Sequence, residues 1–223
     1  MFRTIERRPD ELGLPKKTII MSFDDGPVPG GQSVELLDLL KTVEVPAAFC
    51  LVGRRIPGNE DVVRRIHDEG HLIVNHGQRH RMPEQMTAEE FRSDLEDFDR
   101  SVRKALGIET CSSRFFRPPG GQWNSRIERM VEENDRELMP ITFFGWDVFK
   151  FPFRQRLILH GMLSSLRRND GGIFLIHEAV VPLRGEKDPA PARAGRRWIV
   201  PLVEKFVIRA RTEGFSFVDP RDI

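Results

Sequence analysis

The sequence predicts an α/β chain: a distorted, complete or incomplete (β/α) barrel with a mostly parallel sheet, in a single domain. Three observations predict it. Short apolar runs alternate with amphipathic stretches almost to the C-terminus, which calls for parallel strands joined by right-handed helical crossovers. The 223 residues suit one large domain of barrel size. Polar residues recur at the C-terminal ends of the candidate strands, the face on which barrels build their sites. An open doubly wound sheet is the second choice.

Taken in order, residues 1–17, "MFRTIERRPDELGLPKK", read as an N-terminal extension ahead of the main domain, residues 18–223. The extension has no apolar segment of signal-peptide length. The chain is therefore expected to be cytoplasmic if Met1 is the natural start, and extracytoplasmic if a leader was removed. Strands are expected at 18–23, 47–52, 71–75, 115–117, 139–145, 172–176 and 215–218. Two helices carry end signals. Asn59 can cap one whose Val62, Val63 and Ile66 face inward, stopped by Gly70. Thr87 and Glu90 have capping-box spacing, with Phe91, Leu95, Phe98, Val102 and Leu106 at helical intervals before Gly107. Residues 181–197, rich in Pro, Gly and charge, read as one long solvated surface loop.

Composition excludes several classes. The 35 Lys+Arg nearly cancel the 34 Asp+Glu, so charge gives no argument for a nucleic-acid partner. No apolar run approaches the roughly 20 residues of a membrane span. Cys50 and Cys111 make no disulfide scaffold, and Cys50 sits in an apolar run as a small hydrophobe. No Gly-rich phosphate loop follows a strand, which argues against a nucleotide enzyme. No internal repeat or linker splits the chain, and the oligomeric state is left open.

The chemistry-bearing residues sit at strand ends. Asp24 and Asp25, in "SFDDGP", close the first strand; His76 and His80 follow the third; Arg117 ends the fourth, Asp147 follows the fifth, and His177 ends the sixth. In a helical turn, His76 and His80 would put both imidazoles on one side, close enough to share a metal. Two adjacent carboxylates repel each other, and a divalent cation would let both stay ionised. Because successive strand side chains point to opposite sides, one Asp can bind the cation while the other faces a substrate. Arg117, before Pro118-Pro119-Gly120-Gly121, can pair with one Asp, and the glycines let a backbone N–H approach a ligand and stabilise an oxyanion. His177 faces the proposed cation and suits proton transfer. His67, His71 and His160 lie within helices or at a strand start and are assigned no chemistry.

Together these segments resemble the polysaccharide deacetylase (NodB-homology) family of carbohydrate esterases. "SFDDGP" resembles its first motif, T-F-D-D-G-P. "NHGQRH" resembles the second, H-[ST]-x-x-H, with Gly77 in place of the hydroxyl residue. "RPPGG" resembles the third, and the apolar run ending at His177 the fifth. The similarity runs from about Thr18 to Val218. The resemblance implies that Asp24 is the general base and that Asp25, His76 and His80 hold the metal. It also implies that Arg117 orients Asp24, that the Gly120 N–H serves the oxyanion hole, and that His177 is the general acid. The implied cofactor is one divalent metal: zinc suits the donors best, and cobalt, nickel and iron are alternatives. The implied reaction removes acetyl groups (N-acetyl, in some members O-acetyl) from a polysaccharide or oligosaccharide. The implied partner is an acetylated glycan, an N-acetylglucosamine-containing polymer or oligomer.

Two departures qualify the expectation. Gly120 stands where the family has an aromatic residue, which removes a wall of the substrate groove. The fourth motif, D-x-x-D-W, here reads Asp147-Val-Phe-Lys150-Phe151, so Lys150 replaces the acid that supports the catalytic histidine and Phe151 replaces the tryptophan. Either Asp147 supplies the carboxylate or the acid is weakened. Trp123 and Trp146 remain near the expected mouth, as groove walls or as structural residues. A catalytically weak glycan-binding relative and a hydrolase of a small non-polymeric amide are the alternative functions.

Overall fold

Strands form where β-branched and aromatic runs occur, and the sheet they build is parallel throughout its main path. The computed structural model describes residues 3–4, 6–28, 32–145, 147, 154–179 and 196–223. Trp146, Lys150, Phe151 and positions 181–195 of the expected loop lie outside the described residues. The strands are β1 (Arg3–Thr4), β2 (Thr18–Gly26), β3 (Ala47–Leu51), β4 (Leu72–Asn75) and β5 (Phe115–Phe116). They continue with β6 (Gln122–Trp123), β7 (Glu137–Leu138), β8 (Phe143–Phe144), β9 (Gly171–His177) and β10 (Ser216–Phe217). The helices are α1 (Gln32–Thr42), α2 (Glu60–Asp68), α3 (Ala88–Leu106), α4 (Ser125–Glu132), α5 (Arg154–Asn169) and α6 (Ile199–Thr212).

The main sheet runs β7-β5-β4-β3-β2-β9-β8, with β10 pairing β2 at its start. Its two ends, β7 and β8, are consecutive pieces of one chain segment. The strand expected at 139–145 is therefore cut down to Phe143–Phe144, with a separate short strand just before it. Pro140 sits in the gap and has no N–H to give a neighbour. The result is a curled, incomplete (β/α) barrel rather than an open doubly wound sheet.

Alternation along the strands divides the core in two. Ile19, Met21 and Phe23 of β2 face outward with Phe49, Phe174 and Ile176, and α1, α2, α3, α5 and α6 cover them. Ile20, Ala48, Cys50, Val74, Phe115, Met139 and Ile173 face inward and fill the barrel, with Leu14 of the N-terminal segment added from below. The N-terminal segment is thus part of the packing: β1 pairs antiparallel with β6, and Glu6 bridges Ile141.

The α3 end signals act as read. Thr87 Oγ1 accepts from the Glu90 N–H, Glu90 reaches back to the Thr87 N–H, and Gly107 closes the helix with φ +71°. Asn59 precedes α2 but does not cap it; its Nδ2 donates to the Arg55 carbonyl instead. No helix among the described residues is long and apolar enough to cross a membrane.

Candidate active site

The inward file of β2 ends in Ser22 and Asp24, both buried at the barrel mouth. Strict alternation would send Asp25 to the opposite face. It does not, because the pairing of β2 with β3 skips between Asp24 and Gly26, and Asp25 takes φ +72°. The bulge turns Asp25 inward, so both carboxylates converge on the mouth. Asp tolerates the left-handed region better than most residues, and such backbone outliers cluster at functional sites.

His76 and His80 are not on a helical turn. Residues 76–80 form an irregular loop in which Gly77 has φ +78° and His80 φ +54°. The rings nevertheless meet, with centroids 4.9 Å apart. Asp25 Oδ1 lies 3.1 Å from His80 Nε2 and 3.6 Å from His76 Nε2. One ligand atom from each of the three falls within 4.8 Å of the others, and all three residues are buried. A carboxylate oxygen and two imidazole nitrogens are a suitable donor set for a catalytic divalent cation with open positions. His76 Nδ1 donates to the Arg117 carbonyl at 2.7 Å, which fixes the tautomer and leaves Nε2 its lone pair. Burial would raise the Asp25 pKa, but hydrogen bonds from His76 and His80 and the charges of His80 and His177 hold it well below the carboxylate range.

The loop is pinned from α3. Asp94 is buried and accepts from the Gln78 N–H at 2.7 Å and from Arg79 Nη1 at 3.2 Å. A Cβ at Gly77 would stand 3.1 Å from Asp94 Oδ2. Gly77→Ala is expected to cost about 1–2 kcal/mol from the left-handed backbone alone. It should lower the melting temperature by several degrees and weaken metal binding, read by thermal unfolding and metal titration. Unchanged melting and affinity would show that the loop tolerates a side chain there.

Arg117 is 1% exposed and spans the site and the strand break. Its Nη1 donates to Asp24 Oδ1 at 2.6 Å and to Ser22 Oγ at 2.9 Å. Nη2 donates to the Pro140 carbonyl at 3.0 Å, and Nε to that of Met139 at 3.4 Å. The guanidinium therefore occupies acceptors left by the interrupted strand, while Asp24 Oδ2 lies 3.8 Å from His76 Nε2. Gly120 follows in an exposed turn with φ +79°.

Asp147 supplies the carboxylate beside His177. Its Oδ1 lies 2.9 Å from His177 Nδ1, and its Oδ2 accepts the His177 backbone N–H at 2.8 Å. Burial alone would push the imidazole pKa down; the charge and hydrogen bond of Asp147, with Asp25 and Asp24 nearby, lift it to about 9. Asp147 itself is held below its ordinary range: burial opposes this, but His177 and Arg196 favour the anion.

Several site residues carry no sequence signal. Phe144 meets the His177 ring edge-on, with centroids 5.6 Å apart, and forms an aromatic wall beside it. Glu178 is buried, donates its backbone N–H to the Asp24 carbonyl at 2.8 Å, and bonds Ser33 through its carboxyl group. Arg196, expected in a solvated loop, is instead buried against Asp147. Trp123 is 4% exposed within a core cluster and offers no stacking face to a sugar. His71 is buried and accepts from the Ala47 N–H through Nδ1, away from the site.

Comparison with known proteins gives a consistent assignment. The polysaccharide deacetylase profile matches residues 12–138. A peptidoglycan-N-acetylglucosamine deacetylase of Bacillus cereus is 32% identical over 211 residues, which cover 91% of this chain and 86% of that protein. A chitooligosaccharide deacetylase of Rhizobium leguminosarum bv. trifolii is 32% identical over 177 residues, 78% of this chain and 77% of the relative. The structure of Bacillus subtilis PdaA, a family 4 carbohydrate esterase, matches with a TM-score of 0.73 over 93% of this chain and 80% of that one. At 21% identity it establishes the shared fold. With that profile over more than half its length and such a relative over nine-tenths of it, this chain belongs to the polysaccharide deacetylase (NodB-homology) family and is a deacetylase-type hydrolase.

Proposed function

We propose that this protein hydrolyses the N-acetyl groups of N-acetylglucosamine-containing glycans, with a divalent cation held by Asp25, His76 and His80. One observation carries the reading: two charge-paired groups, Asp24 with Arg117 and His177 with Asp147, share one barrel mouth with the three metal-type donors. The names of the Bacillus cereus and Rhizobium relatives support the substrate class. Zinc suits the donor set, as do cobalt, nickel and iron.

When bound, the cation supplies Lewis acidity, polarising the acetyl carbonyl and making a coordinated water more acidic. The chain's own groups do the rest. Asp24, fixed through Oδ1 by Arg117, takes the proton of the attacking water on Oδ2. The Gly120 N–H is the backbone donor for the oxygen that gains charge. His177 gives Nδ1–H to Asp147, which leaves Nε2–H to protonate the departing amine. Asp147 supports the catalytic reading over a non-catalytic binding one, since it sets a carboxylate beside His177 from three residues before Lys150.

Incubation with N-acetylglucosamine oligomers is expected to release acetate, to stop on chelation, and to recover on adding zinc or cobalt. No metal-dependent release from any acetylated sugar would overturn the proposal. A small-amide substrate is the second reading, favoured by the burial of Trp123 and by Gly120. Rates on monomer, short oligomer and polymer separate the two.

A further inference from the structure

Arg196 sits in a stretch of sequence that looks solvated, yet it is 6% exposed. Its Nε donates to the His177 carbonyl at 2.9 Å. Its Nη2 donates to the Asp147 carbonyl at 2.8 Å and to Asp147 Oδ2 at 2.5 Å. Its backbone N–H goes to Gln32 Oε1 at 2.7 Å, and Gln32 Nε2 donates to the Glu178 carbonyl at 2.5 Å. The Trp198 ring packs 4.9 Å from the guanidinium carbon. Arg196 is thus tied to the residue that supports His177, to His177 itself, and through Gln32 to the residue after it.

We infer that Arg196 is a positioning residue for the proton-donating step, acting through Asp147. The inference rests on the reading of His177 as the acid. A carboxylate held by an imidazole alone can rotate about its side-chain bonds. Here Oδ2 is gripped by Nη2 and by the His177 N–H, so Oδ1 has one direction left, toward Nδ1. One planar guanidinium reaches the Asp147 carboxylate, the Asp147 carbonyl and the His177 carbonyl together; an ammonium on a flexible stem does not. The cation also draws on the charge of Asp147, so the imidazolium gives up its proton to a departing amine more readily than it would beside an unshared carboxylate. The charged groups facing His177 from the neighbouring elements are Asp24, Asp25 and Asp147, with Arg196 behind Asp147.

A double-mutant cycle tests this against a merely structural ion pair. In metal-loaded protein, Arg196→Gln is expected to lower kcat by about 10–100-fold, with KM within about 3-fold. The alkaline limb of kcat should move to higher pH, and Arg196→Lys should recover only part of the rate. In an Asp147→Asn background, Arg196→Gln should cost less than about 3-fold, because its route is already cut. Equal fold-losses in both backgrounds, or wild-type kcat with an unmoved limb, would overturn the inference. If Arg196→Gln does not fold, Arg196→Lys runs the same cycle, and full activity for it overturns the inference too. NMR titration of the His177 ring in zinc-loaded protein needs no turnover: its pKa should rise in the Arg196 variant, and an unmoved pKa counts against the role. A wild-type protein that releases no acetate, or a His177→Asn variant of full activity, would be a failure of the proposed function instead.

Discussion

Asp24→Asn is expected to lower kcat by about 10²–10⁴-fold while zinc still binds, and Asp25→Asn to lose the metal itself. The two acids are neighbours, but the bulge at Asp25 and its left-handed backbone give them different principal partners. Asp24 faces Arg117, and Asp25 faces His80 and His76. Removing the Asp24 charge leaves a guanidinium that is 1% exposed without its counter-ion, which for a buried pair costs about 3–5 kcal/mol. The variant should therefore melt earlier. Competition with a chromophoric chelator, run below that melting point, separates metal affinity from turnover. Equal loss of metal in both variants, or near-normal turnover in Asp24→Asn, would refute the division of labour.

His177→Asn should lower kcat by a similar order, about 10²–10⁴-fold, and should erase the alkaline limb of the pH profile. The sign follows from the proton's job. As the proposed acid, His177 works only while protonated, so activity should hold below its pKa and fall as pH rises through it. That pKa stands near 9 because Asp147, Asp25 and Asp24 outweigh the burial of the ring. A cation on Asp25 offsets part of that negative charge, so the wild-type limb should appear at or below about pH 9. The profile should flatten in His177→Asn, and a limb that survives there would assign the acid to another group. Substrates with activated leaving groups, which need less protonation, should suffer less from the change.

Much of the fold was legible because its signals are local. Short apolar runs marked β2, β3, β4 and β9, and the Thr87–Glu90 box with Gly107 bounded α3. The two short strands on either side of Pro140, in place of one at 139–145, were not legible, because they are told apart only by their neighbours, β5 and β9. Asn59 failed as a cap because the Arg55 carbonyl competed for its side chain. At the site, Asp24, Asp25, His76, His80, Arg117 and His177 could be picked out as strand-end polar residues. The helical turn assumed for the two histidines was wrong. Gly77 and His80 adopt left-handed backbone there, and Asp94, 17 residues beyond Gly77, holds the loop.

By itself the sequence determined which residue types stand at the C-terminal ends of a parallel barrel, and hence that two acids, two histidines, an arginine and a further histidine would share one mouth. Only the tertiary structure decided how they are paired. It turned Asp25 inward through a bulge, set Arg117 across the gap left by Pro140, chose Asp147 as the partner of His177, and brought Arg196 from 49 residues away to hold it. The reason is physical. Strand and helix periodicity is written in near neighbours, whereas the pairing of buried charges depends on which distant segments are packed too closely to leave any of them in water.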